Sequence, residues 1–121
     1  MIQTNPKLYI QYISSDKGMG VFTNSKITQG EIIEDCYCIP VHLSIKEYEV
    51  YFFNFNGTDT LLPLGYGCIY NHNNIPNIGW KIIDRQHLII QFFALMDIEP
   101  NSELCHDYGT GYWDRQKKKI I

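Results

Sequence analysis

No window of this chain holds the roughly 18 consecutive apolar residues that a membrane-spanning helix needs. The longest apolar run, Leu88 to Met96, is broken by Gln91. The first seven residues, Met1-Ile2-Gln3-Thr4-Asn5-Pro6-Lys7, lack a basic segment followed by an apolar one, so secretion is not expected. Cysteine is scarce: Cys36, Cys38, Cys68 and Cys105 make up the complement. Without a secretory signal they read as reduced thiols, which places the protein inside a cell, in cytoplasm or nucleus. Internal repeats and low-complexity linkers are absent, and alanine occurs once. What remains is 121 residues, 45% apolar, enough for one domain over 1–121 with a core of its own.

Positive charge is missing from the body. Residues 1–114 carry six Lys or Arg against thirteen Asp or Glu, a balance of −7, and residues 115–121 return +4. An acidic body suits a basic peptide as partner and argues against a protein that grips nucleic acid along its surface. The tail 115–121 reads as a solvated basic end, with an electrostatic anchor as the alternative.

Alternation and turn residues predict a β-rich domain. Leu8 to Ile13, Gly20 to Thr23, Glu31 to Val41, Gly67 to Asn71, Ile78 to Ile83, Leu88 to Ala94 and Glu103 to His106 read as strands. Thr28-Gln29-Gly30, Asp84-Arg85-Gln86 and Pro100-Asn101-Ser102 read as the turns between them. One helix is expected: Ser44-Ile45-Lys46-Glu47 has the capping-box pattern, and two to three turns through about Phe53 follow. On it Tyr48, Tyr51, Phe52 and Phe55 share a face.

Three separated words carry the functional signal: Gly18-Met19-Gly20, Asn71-His72-Asn73-Asn74-Ile75-Pro76-Asn77, and Glu103-Leu104-Cys105-His106-Asp107-Tyr108-Gly109. Alone, each is weak. In this order and spacing, flanked by Leu64-Gly65-Tyr66-Gly67 and by Phe93 to Pro100, they resemble the SET domain of S-adenosylmethionine-dependent protein-lysine methyltransferases. The resemblance runs from about Gly18 to Trp113. It extends to the very short stand-alone SET proteins of large DNA viruses, which share a terminal pair like Tyr112-Trp113; a viral source would place the protein in a host cell.

The resemblance implies a mainly β, β-clip-like fold of several small sheets with one short helix and a C-terminal pseudoknot, in which the last motif threads past the Asn-His loop. It implies S-adenosylmethionine as cofactor, S-adenosylhomocysteine as product, and a basic peptide or histone tail as substrate. Tyr108 stands where the family has its catalytic tyrosine, and Tyr51, or Tyr48 one turn away, matches a second channel tyrosine. A phenol with a pKa near 10 is a poor base at pH 7, so these tyrosines are expected to orient the amine rather than deprotonate it. Lys17, Gly18, Met19 and Gly20 would line the cofactor by backbone, the glycines because a Cβ would intrude. Asn71 and His72 would hold its amino group and adenine, and Trp113 would stack on the base.

Two departures from the family pattern matter. Many members place a Cys in the Asn-His motif and three more after the catalytic tyrosine to bind zinc. Here that position is Asn74 and no Cys follows Cys105, so no metal is expected. The other is His106, where the family usually has Phe or Tyr; an imidazole there could hold water beside the amine and bring its own pH dependence. The alternative for His106 is a buried histidine bonded away from the channel, and for Trp113 and Tyr51 a structural aromatic. Without flanking regions, a homodimer or the substrate itself would complete the channel. A different class of reading, a catalytically silent SET-like module that binds peptides or partners, is disfavoured by the retention of Gly18, Gly20, Asn71, His72 and Tyr108 together.

Overall fold

The computed structural model describes residues 5–42, 53–54 and 59–108. Nine strands follow one another: β1 Leu8–Ser14, β2 Gly18–Thr23, β3 Ile32–His42, β4 Phe53–Asn54, β5 Asp59–Pro63, β6 Asn71–His72, β7 Ile78–Asp84, β8 Ile89–Ala94 and β9 Glu103–His106. They form a four-stranded sheet in the order β1-β2-β9-β6 and a five-stranded sheet in the order β4-β5-β3-β8-β7. Among the described residues no helix is long and apolar enough to cross a membrane.

Local chemistry accounts for most of these elements. β8 alternates strictly, with Ile90, Phe92 and Ala94 buried and Ile89, Gln91 and Phe93 less so, the pattern of a strand with one face on the core. The β1–β2 hairpin closes with the Lys17 N–H donating to the Ser14 hydroxyl at 3.1 Å and Gly18 at φ +70°, a backbone region that favours glycine. Asn101 sits at φ 67° in the turn before β9, where a short amide side chain tolerates the left-handed conformation. β3 departs from alternation: Ile33, Glu34, Asp35 and Cys36 are all buried, and its register against β8 shifts between Ile32 and Glu34. That bulge re-aims the strand and admits a carboxylate to the interior.

The core lies where the two sheets meet, with Val21, Ile27, Ile33, Leu61, Ile78, Ile90, Phe92 and Leu104 buried in it. A bridge between Ile27 and Ile98 joins the two loops that flank it. β9 sits in the middle of its sheet, antiparallel to β2 and parallel to β6. It also runs along the loop that follows β6: the N–H groups of Asn73 and Asn77 donate to the carbonyls of His106 and Cys105 at 3.1 and 3.2 Å. The Asn77 amide donates to the Glu103 carbonyl at 2.8 Å, and its Oδ1 accepts the Cys105 N–H at 2.9 Å. The last strand is thereby held against the Asn71–Asn77 segment by backbone and side chain, as the pseudoknot arrangement requires.

Several expectations are corrected. Gly67 to Ile69 is turn rather than strand, and pairing begins only at Asn71; a Cβ on Gly67 would stand 2.5 Å from the Cβ of Pro63. β4 and β5 were not foreseen. The expected helix lies outside the described residues except for Phe53, which opens β4.

Candidate functional site

Strand order brings the three sequence words together. β2 carries Gly18-Met19-Gly20, β6 carries Asn71-His72, and β9 lies between them. Asn71 is the joint: its Nδ2 donates to the Met19 carbonyl at 3.1 Å and to Glu103 Oε2 at 2.7 Å. Gly20 makes the joint fit. A Cβ there would stand 2.5 Å from Ile13 Cδ1, 2.6 Å from Glu103 Oε2 and 3.2 Å from Asn71 Nδ2. The close approach that favours glycine is thus to the end of the Ile13 side chain and to the Asn71–Glu103 pair, which a Cβ would push apart. Gly18 has nothing within 4 Å of such an atom and is needed for its positive φ alone. Met19, between them, is 46% exposed. Lys17 is half-buried, and its charge reaches Cys105.

With the Asn71 NH2 group spent on Met19 and Glu103, its Oδ1 is the atom suited to accept a hydrogen bond from an ammonium. That polarity, together with the acidic Glu103 beside it and the glycine-edged strand, fits the amino end of S-adenosylmethionine. Lys17, Gly18, Met19, Gly20, Asn71 and His72 would hold it; Trp113, the expected adenine partner, lies outside the described residues, as do Tyr51 and Tyr48.

The second half of the site is built around His72, which is 5% exposed. Its Nδ1 accepts the backbone N–H of Tyr108 at 3.0 Å, and its Nε2 lies 2.8 Å from Asn74 Oδ1. An acceptor at Nδ1 and an amide oxygen at Nε2 assign the neutral ring with its proton on Nε2. In that state Asp107 Oδ1, 3.6 Å from Nδ1, is a neighbour and not an ion-pair partner. His72 therefore clamps the start of the Tyr108 segment. The Tyr108 hydroxyl donates to the Tyr70 carbonyl at 2.7 Å. With its one proton committed there, the phenol oxygen can only accept from any further group, which suits orientation better than proton abstraction.

His106 pairs with His72 across β6 and β9, and its ring lies 4.9 Å from that of Tyr108 and 6.1 Å from that of Phe92. Burial pulls its pKa down to about 4. The ring is therefore neutral at pH 7, and the pH dependence expected of an imidazole near neutrality moves to acid. The alternation rule places His106 and Tyr108 on one side, and the ring distance agrees.

Four residues of this region escaped the sequence reading. Asn77 and Glu103 stand inside the quoted motifs, and the signal available was their side-chain chemistry at strand ends. Glu34 and Tyr70 form a buried pair in which the Tyr70 hydroxyl donates to Glu34 Oε1 at 2.6 Å. Burial raises the Glu34 carboxyl, and burial with the nearby Glu34 charge raises the Tyr70 phenol. The acidic pair Glu34-Asp35 between Ile33 and Cys36 carries no local sign that Glu34 turns inward. The thiols are of a different kind: burial pushes Cys38 and Cys68 up to about 11 and Cys105 up to about 12. Among the described residues no group of three or more His, Cys, Asp or Glu side chains is arranged to hold a metal ion.

A small two-sheet β domain with a threaded last strand, and a site built from a glycine-edged strand, an Asn-His pair and a buried-edge tyrosine, defines a class on its own geometry. The SET domain family matches residues 18–109. The chain belongs to this family of protein-lysine methyltransferases. It is 34% identical over 107 residues to the histone-lysine N-methyltransferase of Schizosaccharomyces pombe specific for lysine 37 of H3, covering 80% of this chain and 70% of the relative. It is 38% identical over 56 residues to a Nicotiana tabacum histone-lysine N-methyltransferase specific for lysine 9 of H3, covering 42% of this chain and 8% of that much longer protein. Among solved structures, a candidate histone methyltransferase from Plasmodium falciparum superposes with a TM-score of 0.76 at 32% identity, covering 93% of this chain and 99% of that one.

Proposed function

We propose that this SET-domain protein transfers a methyl group from S-adenosylmethionine to a lysine of a histone or histone-like basic tail. When bound, that cofactor supplies an electrophilic methyl carbon. The chain's own residues do the rest. Asn71 Oδ1 and the Gly18–Gly20 strand receive the polar end of the cofactor. Tyr108, fixed at its N–H by His72 and at its hydroxyl by Tyr70, holds the lysine amine in line and presents an acceptor oxygen to it. His106, neutral and buried beside Tyr108, shapes the space around the amine. An amine stripped of part of its hydration beside the Tyr108 and His106 rings would be less stable as the charged ammonium, which favours loss of its proton to solvent and leaves the neutral, nucleophilic amine.

The observation that carries this reading is the convergence at Asn71: one side chain bonds both Met19 of the glycine strand and Glu103 of the tyrosine strand. The acidic body, −7 over residues 1–114, supports a basic substrate, and a histone substrate places the protein inside the cell. The test is calorimetry with S-adenosylmethionine, followed by methylation of core histones and a cell lysate read by mass spectrometry. Binding with transfer to lysine supports the proposal. Binding without transfer to any lysine would favour the silent peptide-binding module.

A further inference from the structure

We infer that Glu34 and Tyr70 are positioning residues for Tyr108: a buried tether running from β3 through the residue before the Asn-His pair to the tyrosine hydroxyl. This rests on the role assigned above to Tyr108. The tether has two links. Tyr70 donates its own hydroxyl to Glu34 at 2.6 Å, and its carbonyl accepts the Tyr108 hydroxyl at 2.7 Å. Tyr70 is 1% exposed and Glu34 8%, so the first link is shielded from bulk water; the second is half-buried, with its acceptor on the buried residue.

Three features make Tyr70 a fixed point. Its ring lies against Phe92 of β8 at 4.7 Å between centroids. Its hydroxyl ends on a carboxylate that also engages the Tyr66 backbone and the Cys36 thiol. The next residue, Asn71, is pinned to Met19 and Glu103. A residue held at ring, hydroxyl and following peptide has little freedom to rotate its carbonyl. That carbonyl is what receives the Tyr108 proton, so the phenol direction of Tyr108 inherits the rigidity. The β3 bulge that brings Glu34 inward is the structural investment in this arrangement, since a buried carboxylate is costly unless several donors meet it. Gly65 completes the seat: a Cβ there would stand 2.9 Å from Glu34 Oε2.

The competing explanation is that Glu34 only seats the Leu64–Gly67 turn. Two variants separate the readings. Tyr70→Phe keeps the ring on Phe92 and deletes the hydroxyl; Glu34→Gln keeps the shape and an acceptor oxygen for Tyr70 but removes the charge that strengthens that bond. Tyr70→Phe is expected to lower kcat on core histones by roughly five- to tenfold, the scale of one hydrogen bond, and Glu34→Gln by roughly two- to fivefold, the difference between a charged and a neutral acceptor. Histone KM and calorimetric affinity for S-adenosylmethionine should stay within about twofold, because neither residue meets cofactor or substrate in this reading. In a Tyr108→Phe background neither variant should add a loss, because the tether then has nothing to position.

A second readout is independent of turnover: in protein carrying 13Cζ-labelled tyrosine, the Tyr108 resonance should shift in both variants. An unchanged kcat with an unchanged Tyr108 resonance overturns the proposal. So does a loss that recurs at full size in the Tyr108→Phe background, which would mark a purely structural role. Should Tyr108→Phe itself keep wild-type turnover, the catalytic reading of Tyr108 falls. The resonance then judges the tether alone: a shift upholds it and no shift overturns it. If Tyr70→Phe fails to fold, Glu34→Gln, which leaves every ring in place, decides on the same criteria.

Discussion

Tyr108 donates its backbone N–H to His72 and its hydroxyl to the Tyr70 carbonyl, so two neighbouring residues of the Asn-His segment hold one tyrosine at both ends. Neither bond comes from the strand ladder. Deleting the hydroxyl should therefore leave the fold intact at a cost of about 1 kcal/mol, the net worth of one hydrogen bond. Methyl transfer should fall far more, roughly 10²-fold, as when one preorganised catalytic contact is removed. Tyr108→Phe assayed at saturating cofactor, beside a thermal melt, checks both numbers. Wild-type rates would take Tyr108 out of the mechanism.

The two glycines of β2 should fail in different ways. At Gly20 any side chain strikes Ile13, Glu103 and Asn71 at once. Gly20→Val is therefore expected to lose several kcal/mol of stability, the range of overpacking plus a broken polar contact, and with it cofactor affinity. Gly18→Ala meets open space and suffers only the positive φ, about 1 kcal/mol. Urea denaturation of the two variants, with calorimetric titration of S-adenosylmethionine, distinguishes them. Equal effects would mean that the Asn71–Glu103 pair is not the constraint.

Chelation should change neither folding nor turnover. No Cys stands in the Asn71–Asn77 motif and none follows Cys105, so the positions of the family's four-thiolate zinc pattern are empty of Cys, and Cys38, Cys68 and Cys105 are held as protonated thiols well above neutral pH. Dialysis against a strong chelator, followed by a melt and an assay, is the measurement; stoichiometric zinc with chelator-sensitive activity would contradict it.

His106 gives stability a defined pH dependence. Its folded pKa, about 4, lies below the usual value of 6.5, so the unfolded chain binds the proton first. The contribution is present in full above pH 6.5 and is lost as pH falls from there through 4, on the order of 3 kcal/mol in total. The groups that face this ring act in opposite senses: the His72 charge, when present, lowers the His106 pKa, and Asp107 raises it. Glu34 works the other way on stability. Its raised folded pKa favours the native state in acid, and that contribution fades as pH rises. Comparing His106→Phe with the wild type isolates the histidine: between pH 7 and 4 the variant should lose less stability in urea titrations. Parallel curves would show that His106 is not the titrating group.

How much of this was legible beforehand depends on what each residue's signal was. Alternation placed β8, and turn chemistry placed the β7–β8 connection at Asp84-Arg85-Gln86 and the turn Pro100-Asn101-Ser102 before β9, because those signals are local. The meeting of Gly20, Asn71 and Glu103 was not readable from pattern, since it depends on β9 entering between β2 and β6. That threading came through the family resemblance. Glu34 was passed over because sequence alternation does not announce a bulge, and without the bulge a carboxylate in β3 reads as a solvent-facing residue. Gly67 to Tyr70 read as strand from its Ile and Tyr, but the Ile69 N–H closes back on the Tyr66 carbonyl at 2.8 Å, and a Cβ on Gly67 would strike Pro63 four residues earlier, which makes the segment turn.

Product number is the last property the site should control through His106. Its ring stands 4.9 Å from the Tyr108 ring and is walled on another side by Phe92, so a change of size there is felt next to the proposed amine site. A neutral imidazole can hold a water where extra methyl groups would otherwise lie. His106→Phe removes that anchor and should shift products toward higher methylation. His106→Tyr fills the space with a larger ring and a hydroxyl and should shift them toward monomethylation, with some loss of stability from overpacking against Phe92, about 1 to 3 kcal/mol. Mass spectrometry of one histone peptide at matched turnover reads the ratio. The same mono-, di- and trimethyl distribution in both variants would place His106 outside the channel and leave it a core residue that happens to touch Tyr108.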